Sequence, residues 1–410
     1  MRLIYFTAEQ WPTFRADLVA LFGKYLPRRG VRCDLVTERE RSVAPTDVPP
    51  WGGGKARLCN VPANRAGQYV AKLWHNLSVL ASLDAGRYDA VQVRDMSLTA
   101  LFGLMVARLK GLRFFYWLSY PQSEGQIDRA RARGWRAGMR FWFPLIQGKV
   151  GCWILYKLVL PRADHVFVQS RQMQQDLARE GVPMERMTPV PMGVDVEAAG
   201  HEQLAPVQDA RLAGRRVIAY LGTLDRVRKI DILLHMLSLV MEQQPNVLLI
   251  LVGDTEDAEH RAWLKAEAER LDVAGNVLWT GWLTSAEAWG YVRQAEVGLS
   301  PFPRSFLLDS ASPTKAVEYM ALGLPVVVND NPDQAQVVAE SGGGLCVPLE
   351  PQAFADAVTG LLNSPETRRV MGERGRDYVR RVRGYDNIAE AVARVYRQLG
   401  DAMPAVGEMS

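Results

Sequence analysis

The sequence predicts an α/β protein of two domains, each a doubly wound parallel sheet, with a ligand cleft between them. Three observations carry that expectation. The chain has 410 residues, beyond the ~250–300 at which a single hydrophobic core stops growing. Short apolar runs alternate with longer helical patterns along its whole length, the grammar of strand–helix–strand units around a parallel sheet. That grammar breaks once, over the polar and aperiodic stretch 196–215, and then begins again. Each half is therefore expected to be Rossmann-like.

In the first half the expected strands are 3–6, 33–37, 90–93, 114–118 and 165–169. In the second they are 216–221, 247–252, 277–280, 297–300 and 325–328. The turn-like Met192-Gly193-Val194-Asp195 leads into the linker, so an N-terminal domain is expected over 1–200 and a C-terminal domain over 201–384. Residues 385–399 read as a last amphipathic helix, in a segment 385–410 expected to pack back on the N-terminal domain, with 401–410 a frayed tail.

Composition narrows the function. Apolar residues make up 48% and charged residues 23%, as in globular proteins. A net charge of +4 is small for this length, so no nucleic-acid partner is expected. Cys33, Cys59, Cys152 and Cys346 lie far apart without a C-x-x-C pair, which suggests reduced core thiols in a cytoplasmic protein rather than a zinc site or a disulfide framework. The first apolar run is too short for a signal sequence, and no uninterrupted apolar stretch reaches the ~18–20 residues that span a bilayer. An integral membrane protein is not expected. Neither half carries G-x-G-x-x-G after its first strand, which disfavours a nicotinamide oxidoreductase.

The most informative stretch runs from Ser312-Pro313-Thr314-Lys315 through Glu318 to Gly323-Leu324-Pro325. Ser312 suits an N-cap, Pro313 the first helical position, and Gly323 with Pro325 a stop. Such a helix start attracts anions, and Thr314 and Lys315 add a hydroxyl and a charge in its first turn. A diphosphate fits there, with Glu318 one turn on to accept hydrogen bonds from ribose hydroxyls. A second element, Tyr220-Leu221-Gly222-Thr223-Leu224 followed by Arg226, Arg228 and Lys229, also describes a phosphate cradle. A third, the buried strand ending in Gly253-Asp254, reaches the same sheet edge. Singly, each has a bland reading: a surface Lys–Glu pair, a common glycine turn, solvated loop charges.

In order, Tyr220-Leu221-Gly222-Thr223-Leu224, Arg228-Lys229, Val252-Gly253-Asp254, Thr280-Gly281-Trp282 and the segment 312–327 make the second half resemble the retaining glycosyltransferases of the GT-B fold, the glycosyl transferases group 1. In the first half only Val168-Gln169-Ser170 and the segment 190–195 resemble the family closely. The resemblance implies that Arg228 and Lys229 hold the diphosphate of a nucleotide-sugar donor, that Glu318 binds ribose, that the backbone around Ser312, Pro313, Thr314 and Lys315 binds phosphate, and that Gly281 and Trp282 meet the nucleobase. Gly222, Thr223 and Gly253 complete the implied donor site. Two departures stand out. The family's first glutamate falls on Ser310, with Asp309 beside it as a substitute, and a common arginine is Thr223. A first-domain histidine or aspartate is also missing after the strand 114–118.

Cleaving a sugar–phosphate bond develops negative charge on the leaving diphosphate, so fixed positive charge there is the main catalytic requirement. Arg228 and Lys229 meet it, and no Asp-x-Asp occurs in the chain, so no metal cofactor is expected. Retention of configuration follows from the resemblance. Asp95 and Glu124, both placed in loops at carboxyl ends of first-domain strands, are candidates to orient a saccharide acceptor, against the plainer reading of ordinary loop carboxylates. His75 and His165 read as structural. The segment 129–162 has no acidic residue but carries Arg129, Arg131, Arg133, Arg136, Arg140, Lys149, Lys157 and Arg162 among Trp135, Phe141, Trp142, Phe143, Trp153 and Tyr156. One reading is a patch resting on an anionic membrane at the inner face of the cytoplasmic membrane, with a lipid-linked saccharide acceptor in surface-polysaccharide assembly. The other is core aromatics beneath solvated arginines. Rival functions are a nucleotide-sugar epimerase and a non-catalytic nucleotide-sugar-binding subunit.

Overall fold

The computed structural model describes residues 1–13, 15–60, 62, 64–200 and 207–401. They form two compact units: Met1–Pro191 together with the chain from Tyr385 onward, and Met192–Gly384. The division falls ahead of the stretch 196–215, of which 201–206 lie outside the described residues, as does the expected tail from 402 on.

In the first unit seven parallel strands run β1 Arg2–Phe6, β2 Arg32–Glu38, β3 Ala56–Cys59, β4 Ala90–Arg94, β5 Arg113–Leu118, β6 His165–Val168 and β7 Met187–Pro189, in the order β3-β2-β1-β4-β5-β6-β7. The residues of β1, β4, β5 and β6 are buried on both faces, as in parallel sheets covered by helices on each side. In β1, Ile4 and Phe6 join one core while Leu3 and Tyr5 join the other. The second core is closed by the helix Tyr385–Asp401, whose Ile388, Ala389, Val392, Ala393 and Tyr396 form its buried stripe. The ring of Tyr396 lies 5.0 Å from that of Phe167.

The second unit repeats the plan with β8 Arg216–Leu221, β9 Val247–Val252, β10 Val277–Gly281, β11 Val297–Ser300, β12 Val326–Asn329 and β13 Gly344–Val347, all parallel, in the order β10-β9-β8-β11-β12-β13. In both sheets the chain runs outward from the first strand and returns to start again on its other side. Between β8 and β11 the connections diverge, and the crevice beyond the carboxyl ends there is the usual ligand site of doubly wound sheets.

Several expectations are corrected. The thiols are free, but only Cys33 belongs to the core; Cys59 and Cys152 are half-buried and Cys346 is exposed. Between β5 and β6 the chain makes a long helical excursion, Gln122–Arg133 and Met139–Trp153, continuing helically to Arg162. That last stretch, Met139–Arg162, is long and apolar enough by length and composition to cross a membrane, with a mean hydropathy of 1.2 over its best window, although Arg140, Gln147, Lys149 and Lys157 interrupt it, so no uninterrupted apolar run of that length is present in it.

Candidate functional site

The site stands at the carboxyl edge of the second sheet. Strands β8, β9 and β10 deliver Gly222, Gly253 and Gly281, with φ of 139°, 127° and 71°, conformations that side chains strongly disfavour. A Cβ on Gly253 would lie 2.3 Å from the Gly222 carbonyl oxygen. Gly222 N donates to Val252 O at 2.8 Å and Gly253 N to Thr280 Oγ1 at 3.3 Å, so the three turns pack backbone against backbone. Tyr220 Oη donates to Thr223 O at 3.0 Å, closing the first turn on itself. Tyr319 Oη accepts from Leu221 N at 2.7 Å and donates to Leu299 O at 3.1 Å, tying that turn to β11. Gly298 makes room for it, since a Cβ there would stand 2.4 Å from the Tyr319 ring.

Two cations converge on this frame. A Cβ on Gly222 would stand 2.5 Å from Lys315 Cε and 3.0 Å from its Nζ, so the lysine lies along the glycine turn. Its Nζ is 5.3 Å from the Tyr220 ring centroid and 6.0 Å from that of Phe302. The Arg228 guanidinium carbon is 4.7 Å from the same Phe302 centroid. Nε and Nη1 of Arg228 are buried and without a hydrogen-bond partner. Among the described residues neither cation is in a salt bridge, although Glu318 and Asp225 are near enough to favour the charged lysine. Burial, with Arg228 beside it, pushes the Lys315 ammonium down to about 7. Burial likewise holds the Glu318 carboxyl above the usual carboxylate range, against the lowering effects of Lys315 and a hydrogen bond from Thr314. Two cations held together by aromatic faces, the arginine with two donors unused, form a receptor for an anion.

The sequence-predicted residues divide in their placement. Gly222, Gly253, Gly281, Arg228, Lys315 and Glu318 belong to this second-unit frame. Lys229 takes a left-handed φ of 50° and is exposed. Trp282, past Gly281, is also exposed. The helix runs Lys315–Ala321 with Thr314 at its N-cap position and no side-chain cap, which corrects the expected start at Ser312. The physical reason is that Ser312 is buried and used elsewhere: its Oγ donates to Asp333 at 2.7 Å and accepts from Met192 N at 3.0 Å. Arg383 joins the same cluster through Asp333 at 2.6 Å, and Pro313 is buried next to it. Ser310 Oγ donates to Leu307 O at 3.0 Å, and Asp309 is paired with Arg304 at 2.7 Å and 3.0 Å. The sequence reasoning missed Phe302, Tyr220 and Tyr319 as builders of the site, although the last two sit inside the quoted motifs.

In the first unit, Asp95 directly follows β4 with a left-handed φ of 55°, and its side chain is buried. It accepts from Ser119 N at 2.8 Å and from the Ser119 hydroxyl, and it lies 3.5 Å from Arg94. Burial raises its carboxyl above the usual range. Glu124 is in the first turn of the helix Gln122–Arg133, not in a loop, and accepts from the Tyr156 hydroxyl. His75 lies in the helix Arg65–Ala81, and His165 opens β6. Four of the six aromatics of 129–162, Trp135, Trp142, Phe143 and Trp153, are exposed, as are the eight basic residues among them, whereas Phe141 is partly buried and Tyr156 packs against the first core. Among the described residues no group of three or more His, Cys, Asp or Glu side chains is placed to hold a metal ion.

Two family models match the chain one after the other: a glycosyl transferase 4-like domain over residues 18–193, and the glycosyl transferases group 1 over 206–378, which contains the whole cationic site. Both halves are thus glycosyltransferase domains, the second of group 1. A phosphatidyl-myo-inositol mannosyltransferase of Mycolicibacterium smegmatis is 28% identical over 247 residues, 59% of this chain and 60% of that protein. The chain thus spans about three fifths of the length of that relative. Sucrose-phosphate synthase from Thermosynechococcus elongatus superposes with a TM-score of 0.75 at 19% identity, covering 98% of this chain and 100% of that one. Anabaena Alr3699/HepE in complex with UDP-glucose gives 0.67 at 15% identity, covering 97% and 100%. These likenesses identify the two-unit architecture of this glycosyltransferase chain as the GT-B fold.

Proposed function

We propose that this chain transfers a sugar from a nucleoside diphosphate sugar to an acceptor hydroxyl, with retention of configuration and without a metal. The observation that carries the reading is the Arg228–Lys315 pair beside the glycine turn, two cations with no salt bridge among the described residues, the arginine with two buried donors unused. Charge developing on a departing diphosphate is what such a pair stabilises. The HepE structure, which holds UDP-glucose, supports the donor class. Glu318 takes the ribose hydroxyls, and Gly281 and Trp282 lie next to the base. The acceptor hydroxyl attacks from the face the diphosphate leaves and gives its proton to that phosphate, so no protein base is required. The leaving charge is met by arginine, lysine and backbone N–H groups, which makes a divalent ion unnecessary.

The acceptor in this reading is a lipid-linked saccharide at an anionic membrane face. Support comes from exposed tryptophans standing among exposed arginines in 129–162, and from a relative named for mannosyl transfer to phosphatidyl-myo-inositol. The test is calorimetric titration of the full chain, in EDTA, with UDP, GDP, ADP and NAD, comparing wild type with Glu318→Ala and Arg228→Ala. Selective binding of one nucleoside diphosphate, weakened by both changes, is expected; binding indifferent to both would refute the site. Co-sedimentation with phosphatidylglycerol vesicles but not phosphatidylcholine vesicles tests the membrane face.

A further inference from the structure

In the first unit a cavity of about 340 Å³ opens beside the carboxyl end of β4, lined by the helices Arg65–Ala81, Ser97–Leu109, Gln122–Arg133 and Met139–Trp153. We propose that it binds the neutral, polyhydroxylated head of an amphiphile whose alkyl tail leaves over the apolar residues at its mouth. This deepens the function proposed above and rests on it in naming that amphiphile as the acceptor.

The chemistry of the lining selects a neutral head. Its charged groups are already used within the protein: Lys72 Nζ donates to Ala8 O at 2.8 Å and lies 3.5 Å from Glu38, while Asp95 is held by Ser119. What remains for a ligand is amide and hydroxyl: Asn76, Gln122, Gln126, Gln147, Ser97 and Ser123. Such groups recognise sugar or cyclitol hydroxyls, and a phosphate would find no free cation. Asn76 adds a sharper sign. It is buried, its amide nitrogen donates to Thr99 Oγ1 at 3.2 Å, and its Oδ1 has no partner. A buried unpaired acceptor costs about 1–3 kcal/mol, which a donating ligand hydroxyl relieves.

The mouth is of the opposite character. Tyr69 and Val150 line the cavity and are 50% and 48% exposed. Along their helices, Val70 and Trp74 on one side and Ile146 and Trp153 on the other are also exposed. Spacings of three and four residues put Ile146 and Trp153 on the same helical face as Val150. A polar pocket rimmed by apolar side chains matches a molecule with a sugar at one end and a chain at the other.

The test titrates the full chain with three probes below their micelle concentrations: octyl glucoside, methyl glucoside and octyl phosphate. Octyl glucoside is expected to bind at least roughly tenfold tighter than either of the others. Gln126→Trp and Val150→Trp, which fill the cavity from a half-buried and an exposed position, should each weaken it by a similar factor with an unchanged melting temperature. Equal binding of octyl phosphate, or octyl glucoside binding untouched by both variants, overturns the proposal. Nucleoside diphosphate binding on the same samples separates the two readings. If it fails while the octyl glucoside pattern holds, the transferase reading falls and the pocket stands; the reverse result removes the pocket alone.

Discussion

Lys315 makes donor affinity a function of pH near neutrality. The ammonium sits against Tyr220, Phe302 and the Gly222 turn, with Arg228, Glu318 and Asp225 as the charged groups around it, and titrates at about 7. A bound diphosphate places negative charge beside it and restores the protonated form, so binding takes up a proton above neutral pH. With a free value of about 7 and the bound lysine held protonated throughout, affinity should fall roughly 20-fold between pH 7.5 and 9. Stability runs the other way. The folded value lies below the ordinary lysine value of 10.5, so between about 7 and 10.5 the unfolded chain binds more protons and stability rises with pH. The destabilising contribution of Lys315 is therefore full below pH 7 and is lost as the pH approaches 10.5. Titrating the best-binding nucleoside diphosphate at five pH values, in buffers of different ionisation enthalpy, reads both the affinity and the proton uptake. Lys315→Met should flatten the slope and bring the affinity at pH 7 below the wild-type level at pH 9, where the bound lysine is still protonated. An affinity constant from pH 7.5 to 9, or a slope surviving in Lys315→Met, would refute the burial argument.

Arg228→Met should weaken diphosphate binding by roughly 100-fold or more yet raise the melting temperature, because it removes buried donors that nothing satisfies in the free protein; a lower melting temperature would show those donors to be satisfied. Gly253→Ala should destabilise by about 2–4 kcal/mol, since the new Cβ meets the Gly222 carbonyl at 2.3 Å; an unchanged thermal melt would disprove the close approach. Ser312→Ala breaks the links to Asp333 and Met192 and should cost about 1–3 kcal/mol in a urea titration, with diphosphate affinity changed less than about threefold. Asp309→Ala tests the replacement of the family's first glutamate. With Asp309 committed to Arg304, turnover should fall less than about tenfold, whereas a hundredfold loss would make it a donor-sugar contact.

The strands most legible in the sequence were those buried on both faces, because continuous apolar runs such as Val247–Val252 have no other use in a chain of this kind. The three missed strands, Ala56–Cys59, Met187–Pro189 and Gly344–Val347, are the edge strands β3 and β7 of one sheet and β13 of the other. They are short, and β7 ends in a proline, which an edge tolerates and a pattern search rejects. Within the site the glycines were legible because each ends an apolar run. Ser312 was misread for a different reason. Its local signature is that of an N-cap, and the partners that claim it, Met192, Asp333 and Arg383, are remote in sequence. Glu124 was placed in a loop because the helix around it is strongly polar and shows no apolar period.

That aromatic faces, and no salt-bridged acid, hold Arg228 and Lys315 among the described residues follows from what the site must do. An aspartate in place of Phe302 would satisfy both cations, return Lys315 toward its ordinary value and compete with the incoming diphosphate for the same charge. The face of a phenylalanine holds the guanidinium in position by a weaker attraction and leaves its donors unspent. Phe302 must then be fixed by something other than its own ring. Its N–H donates to Asn329 Oδ1 at 2.7 Å, and its carbonyl accepts from Asn329 Nδ2 at 2.9 Å. Asn329 is fully buried at the carboxyl end of β12, where an apolar residue would serve the core equally well. A buried amide bonded to both backbone groups of one residue holds the loop after β11 in place, so the ring stands over Arg228 before any donor arrives. The positive charge is thus positioned in advance, and the binding energy of the donor is not consumed in assembling it.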